Sequence, residues 1–227
     1  MNPGPRAAKK IWPAVTVGEV KSPEDAVFAD LDGDGSQDVI SCCEGKVKSV
    51  FIHWAPRDQK KYLDAAAWST AAITVVQGKQ SWMYCLPMQV DGKHGIDLVV
   101  GSKGKGATVG WLQAPADPRK VADWKFHPWY QAGWIMSLES LDVDGDGDLD
   151  VIASSWGLAD QLRYFSNDRG RFTDVTQDAN LTGLYGGLNL MQADYDNDND
   201  LDVYVMRGAV SYTHLRAHET DSYIVCR

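Results

Sequence analysis

The sequence is short of positive charge, of cysteine and of long apolar runs. Lys and Arg number 22 against 31 Asp and Glu, a formal net charge of −9. That balance excludes a nucleic-acid binder, which needs basic surface to displace counterions. It equally excludes a basic patch that lies on an anionic membrane. No apolar stretch reaches the ~18 residues of a spanning helix, so no membrane insertion is expected. The opening MNPGPRAAKK lacks the apolar centre of a secretory leader. Four cysteines at irregular spacing are too few for a disulfide framework, and no CxxC or His/Cys cluster suggests zinc. Helical periodicity is missing throughout, although KKYLDAAAW (60–68) has room for one turn. What is present is enough for a core: 44% of the 227 residues are hydrophobic, and nine Trp and nine Tyr give large side chains to bury.

One acidic motif recurs. DLDGDGSQDVI starts at Asp30, DVDGDGDLDVI at Asp142 and DYDNDNDLDVYV at Asp194. A damaged copy, QVDGKHGIDLVV, starts at Gln89, giving start-to-start spacings of 59, 53 and 52 residues. The surroundings repeat too. Trp12 and Trp124 each lie 18 residues before their aspartate, Trp68 lies 21 before Gln89, and Phe172 lies 22 before Asp194. The first three loops are each followed by an aromatic run: SVFIHWAP (49–56), TVGWLQAP (108–115) and LRYFSND (162–168). Outer runs led by Trp or Phe make a fourth kind of segment: WSTAAITVV (68–76) and FTDVT (172–176) follow aromatic runs, and WPAVTV (12–17) precedes the first loop. Val, Ile, Thr and aromatics bounded by Gly, Pro and Asp predict strands.

Four strands per unit, repeated at this period, predict an all-β chain forming a partial β-propeller of four-stranded blades with calcium loops. A linear β solenoid has shorter repeats. The blades are expected at roughly 22–76, 81–127, 134–176 and 186–209, with a preceding outer strand over 11–17. This amounts to about three and a half blades of a larger propeller, whose remaining blades would be the chain's first partners.

Counted from its first residue, each intact loop has Asp at positions 1, 3, 5 and 9: Asp30, Asp32, Asp34 and Asp38; Asp142, Asp144, Asp146 and Asp150; Asp194, Asp196, Asp198 and Asp202. Hard carboxylate oxygens at this density suit Ca²⁺, which takes six to eight oxygens in flexible geometry, better than Mg²⁺. Position 6 must turn sharply, and it is Gly35, Gly147 or Asn199. Position 7, which is Ser36, Asp148 or Asp200, is expected to offer its backbone carbonyl. Position 8 is apolar in Leu149 and Leu201 and is expected to tuck under the loop, and the position-9 aspartate is expected to be the bidentate ligand. An EF-hand does not fit: its twelfth residue would be Glu, but here it is Ser41, Ala153 or Val205, and a β run follows. About three calcium sites are therefore expected. The loop at 89–97 has Gln89, Lys93 and His94 in place of loop residues and keeps Asp91 and Asp97. It is expected to be empty, with the Lys93 ammonium near the metal position and paired with both aspartates.

These loops resemble the FG-GAP/VCBS repeats of integrin-α-type β-propellers, whose signature is close to D-x-D-G-D-G-x-x-D-[VIL]. The segment FTDVTQDANLTGLYGGLNLMQADYDNDNDLDVYVMRGA (172–209) is similar to the bacterial secreted variety related to the cartilage acidic protein family. The resemblance spans about Trp12 to Ala209. It implies that Ca²⁺ stiffens the turn between a blade's first two strands, on the face opposite the ligand-binding loops. Calcium loops of modest affinity suit millimolar external calcium, so an exported protein is expected, secreted, periplasmic or on the cell surface. Repeats of this kind serve adhesion, carbohydrate binding, enzymes and scaffolds alike; the expectation for this chain is a noncatalytic module that binds an extracellular protein or glycan. The alternatives are a fragment of a propeller-type polysaccharide lyase or hydrolase, and a scaffold for a catalytic domain elsewhere. From Ser211 the run SYTHLRAHETDSYIVCR has no repeat feature and resembles translated sequencing-adapter sequence, so 210–227 reads as a non-native tail.

Other chemistry is sparse. Cys42 and Cys43 are neighbours on a strand and point to opposite faces, so at most one can meet Cys85; buried free thiols are the leading expectation and a Cys85 disulfide the alternative. His53 and His127 have no nucleophile partner in a repeated motif and read as structural. GSKGKGATVG (101–110) lacks GK[ST] and reads as a hairpin. Trp82, Tyr84, Trp129, Tyr130, Trp134 and Tyr185 gather where one unit joins the next. They read as packing between blades, with exposed Trp at more than one of these positions favouring a sugar-binding platform.

Overall fold

The computed structural model describes residues 13–157, 160–197, 201–207 and 222–225. Alternating apolar residues bounded by turns give fifteen strands among them, and no α-helix. The first sheet is a meander of β1 (Pro23–Ala29), β2 (Asp38–Cys43), β3 (Ser49–Trp54) and β4 (Ser69–Ala72). The second holds β5 (Ser81–Met88), β6 (Asp97–Lys103), β7 (Thr108–Gln113) and β8 (Lys125–Gln131). The third holds β9 (Ile135–Leu141), β10 (Asp150–Ser155), β11 (Arg163–Asp168) and β12 (Arg171–Asp174). In the last, β13 (Gly187–Ala193) pairs with β14 (Asp202–Arg207), and β15 (Ser222–Val225) lies beside β14 with Val203 opposite Val225. All pairings are antiparallel, and each sheet is open. Three four-stranded meanders and a partial fourth form a partial propeller.

Neighbouring sheets stack face to face. The leading strands β1, β5, β9 and β13 touch in succession. Three apolar cores fill the three gaps between sheets. The first joins Ile40, Ile52 and Trp54 to Trp82, Leu98, Leu112 and Trp124. The second joins Val99, Val109 and Trp111 to Ile135, Val151 and Phe165. The third, around Leu141, Ile152, Tyr164, Leu190 and Val205, is less complete and leaves a groove of about 740 Å³ lined by Val143, Leu149 and Leu181. Close stacking depends on Gly101, where an added Cβ would lie 2.7 Å from Ile135 of the next sheet.

Several expectations on boundaries need adjustment. Pro13–Val17, expected as part of an outer strand, forms no strand; its last carbonyl only receives the Thr70 hydroxyl at 3.5 Å. Trp12, Asp198, Asn199, Asp200, Ala209 and most of the 210–227 tail lie outside the described residues. The second sheet's outer strand runs to Gln131 rather than 127. KKYLDAAAW supplies two short 3-10 turns, Gln59–Lys61 and Ala65–Ala67, each capped by an aspartate. GSKGKGATVG is the β6–β7 hairpin as expected. Cys42, Cys43 and Cys85 are buried free thiols, and burial together with the Cys85 thiol pushes Cys42 well above its usual pKa.

Candidate metal centre

Every acidic loop occupies the same place, the turn between the first and second strands of its sheet. Position 6 adopts the left-handed conformation, with φ 85° at Gly35, 93° at Gly147 and 54° at His94. Position 4 does so as well, with φ 70° at Gly33, 70° at Gly92, 75° at Gly145 and 62° at Asn197. Two such reversals within three residues curl the chain, which is why Gly and Asn alternate with Asp. The first aspartate fastens the curl: Asp30 Oδ2 accepts the Gly35 amide at 2.9 Å, and Asp142 Oδ2 accepts the Gly147 amide at 3.1 Å.

The curl gathers carboxylates into triads: Asp30, Asp32 and Asp38; Asp142, Asp144 and Asp146; Asp194, Asp196 and Asp202. Within each triad the ligand oxygens lie within 4.8 Å of one another. A calcium ion holds oxygens at 2.3–2.6 Å, so ligands of one ion are at most about 5 Å apart. The donor chemistry and the spacing therefore fit calcium, with backbone carbonyls and water able to complete the shell.

The triads are not identical. In the first loop Asp34 stands outside the three. Its carboxylate meets Arg57 at 3.2 Å and, more distantly, Arg119 at 3.9 Å. Burial pushes Asp34 up, but the Ser36 amide and hydroxyl and the Arg57 guanidinium outweigh it and hold the carboxyl below its ordinary value. In the third loop it is Asp150 that stands outside. Its Oδ2 accepts both the Tyr164 hydroxyl and the Val143 amide at 2.9 Å. Ser36 is buried, its hydroxyl donating to the Pro56 carbonyl at 3.2 Å, and Asp148 receives the Arg169 amide at 3.1 Å. Leu149 is half-buried but Leu201 is exposed, because the groove beside the fourth sheet leaves position 8 uncovered there.

Position 9 has a second duty that recurs in all four loops. Its Oδ2 accepts the position-2 amide: Leu31 to Asp38 at 3.2 Å, Val90 to Asp97 at 3.0 Å, Val143 to Asp150 at 2.9 Å and Tyr195 to Asp202 at 2.8 Å. In the first three loops Oδ1 also accepts an amide from the end of the third strand, namely Ala55 at 2.8 Å, Ala114 at 2.8 Å and Asn167 at 2.9 Å. The aspartate thus ties the loop to the next hairpin. Burial pushes Asp38 and Asp97 up to about 6 and raises Asp150.

At 89–97 the loop's own side chains take up its polar groups. Gln89 Nε2 donates to the Gly95 carbonyl at 2.7 Å and the Lys93 carbonyl at 3.3 Å, while its Oε1 accepts the Gly92 amide at 3.0 Å. Lys93 Nζ meets Asp91 at 3.1 Å. The expected second partner, Asp97, instead takes the two backbone amides. Burial pushes Asp91 up, but Lys93 and Gln113 outweigh it and hold it low.

Away from the loops, Ser41 Oγ lies 2.9 Å from His53 Nε2, and Thr70 Oγ1 lies 2.8 Å from Nδ1. Ser41 and His53 are buried, so this chain is a strut across β2, β3 and β4. His127 stacks on Trp111 at 4.7 Å. Of the six junction aromatics, Trp82 is buried, and Trp129 stacks on Phe172 at 3.9 Å. Trp134 and Tyr185 are exposed, as is Trp156, whose amide donates to the Trp134 carbonyl at 2.9 Å. Only one Trp among the six positions is therefore exposed; Trp156 lies outside that set. No helix among the described residues is long and apolar enough to cross a membrane.

No curated protein matches the chain. The family model described as FG-GAP-like repeat matches residues 142–205, from the first aspartate of the third loop through β14. The recurrence of the loop from sheet to sheet agrees with that match.

Proposed function

We propose that the chain is a calcium-binding propeller module of an exported protein, holding an extracellular protein or glycan without catalysis. The observation that carries the calcium reading is the recurrence of an aspartate triad at the same turn of three sheets. Fifteen residues form the sites: Asp30, Asp32, Asp34, Ser36 and Asp38; Asp142, Asp144, Asp146, Asp148 and Asp150; Asp194, Asp196, Asp198, Asp200 and Asp202. When bound, the ion cancels carboxylate repulsion. The chain's own part is to curl each loop through its left-handed residues and to anchor it through position 9. The stiffened turn then orients the opposite end of the sheet, where Trp156, Tyr185 and Trp134, the last with Lys103 over its ring, are exposed.

Thermal melting of calcium-loaded protein, with and without EDTA, tests the stabilising role. Chelation should lower the melting temperature by several degrees, as expected when a ligand that binds only the folded state is removed. An unchanged curve counts against it. A glycan and protein binding screen, repeated with Trp134→Ala and Trp156→Ala, tests the partner face.

A further inference from the structure

We propose that Arg119, delivered by the second sheet, competes for the cation of the first sheet's loop, so that the loop at 30–38 takes calcium more weakly than the loop at 142–150. This rests on the calcium reading of the loops. Arg119 belongs to the connection between β7 and β8, yet its Nε lies 2.6 Å from Asp32 Oδ2, a triad oxygen, and a terminal nitrogen lies 3.9 Å from Asp34. The guanidinium also lies over the Trp54 ring at 4.8 Å. Its backbone is held in place: the buried Trp124 donates its indole N–H to the Pro118 carbonyl at 2.9 Å, and the Arg119 amide donates to Asp117 at 3.2 Å. This is a placed cation, and a guanidinium cannot shed its charge.

The four loops make the comparison internal. Position 3 of the decayed loop, Asp91, holds the Lys93 ammonium at 3.1 Å. Position 3 of the first loop, Asp32, holds Arg119 from the neighbouring sheet. Position 3 of the third loop, Asp144, accepts two neutral donors, the Ser166 hydroxyl and the Asp146 amide, each at 3.2 Å, and no ion pair falls on Asp142, Asp144 or Asp146 among the described residues. An incoming divalent ion must displace or repel a fixed positive charge in the first loop and meets none in the third. Filling the first loop then loosens a contact between two sheets and changes the surroundings of Trp54.

The test is calorimetric calcium titration of the full chain carrying Asp144→Asn and Asp196→Asn, which leaves the first loop as the site observed. Arg119→Met in that background should tighten binding about threefold to tenfold, the size of a partly exposed charge-assisted pair. Arg119→Gln should do the same, and metal-free melts establish that both variants fold. Arg57→Ala is the control. Arg57 is 81% exposed against 41% for Arg119, so its removal should change affinity less than about twofold. Calcium should also shift Trp emission in the background protein, and Trp54→Phe should abolish that shift. Equal affinities with and without Arg119 overturn the inference while calcium binding at 142–150 in the wild type still stands. Absence of binding at 142–150 overturns the calcium reading itself.

Discussion

Asp97 Oδ1 accepts the Ala114 amide at 2.8 Å, in the loop whose ligand set has decayed. Its counterparts Asp38 and Asp150 hold Ala55 and Asn167 in the same way at 2.8 and 2.9 Å. The ninth aspartate is thus a backbone clamp in its own right. Asp97 fills this role at 89–97, where Gln89 and Lys93 stand at the positions that are aspartate in the other loops.

Removing that clamp should destabilise the chain whether or not calcium is present. Asp97→Ala leaves the buried Val90 and Ala114 amides without acceptors, at about 1–3 kcal/mol each. Relief of the buried carboxylate, whose pKa is pushed up to about 6, offsets part of the loss. A net cost of about 2 kcal/mol is expected from urea unfolding, and it should be equal in EDTA and in calcium.

The decayed loop should be convertible. In the triple variant Gln89→Asp, Lys93→Asp and His94→Gly, the Gln89 amide and the Lys93 ammonium disappear and positions 1, 3, 5 and 9 all carry aspartate. This protein should melt lower than the parent in EDTA and bind one more calcium ion by calorimetry. An unchanged stoichiometry would show that aspartate positions alone do not make the site.

His53 sets a pH dependence. Burial holds it below its ordinary value of 6.5, so the folded state favours the neutral ring. Its contribution is full above 6.5 and is lost as pH falls from 6.5 toward the depressed folded value, because the unfolded chain then binds the extra proton. The loss approaches about 1.4 kcal/mol per pH unit in that window. Asp38 and Asp97, with values of about 6, act in the opposite direction and favour folding as pH falls below 6. The difference between wild type and His53→Gln isolates the histidine. That difference should shrink between pH 7 and pH 5.5 in denaturant unfolding, and a constant difference would contradict the buried neutral ring.

The loops were legible because their code is local. Alternating Asp with Gly or Asn within nine residues dictates both the curl and the charge. The position-4 reversal at Gly33 and Gly145 belongs to the same alternating pattern. The strands were legible from alternation and turn residues, which is why the all-β architecture of successive antiparallel sheets matches the expected fold class. Arg119 was not legible: it is 87 residues from Asp32, and only the stacking of one sheet on the next brings them together. The dual use of Asp38 and Asp150 was hidden for a similar reason, since their amide partners lie 17 residues on, across a hairpin. Pro13–Val17 looks like a strand by composition, but a strand needs a partner edge that composition does not reveal.

The most direct measurement is anomalous diffraction from a calcium-soaked crystal. The account predicts a peak 2.3–2.6 Å from carboxylate oxygens of Asp142, Asp144 and Asp146, and none within the loop at 89–97. Absence of a peak at 142–150, or a peak enclosed by Gln89, Asp91 and Lys93, would contradict it.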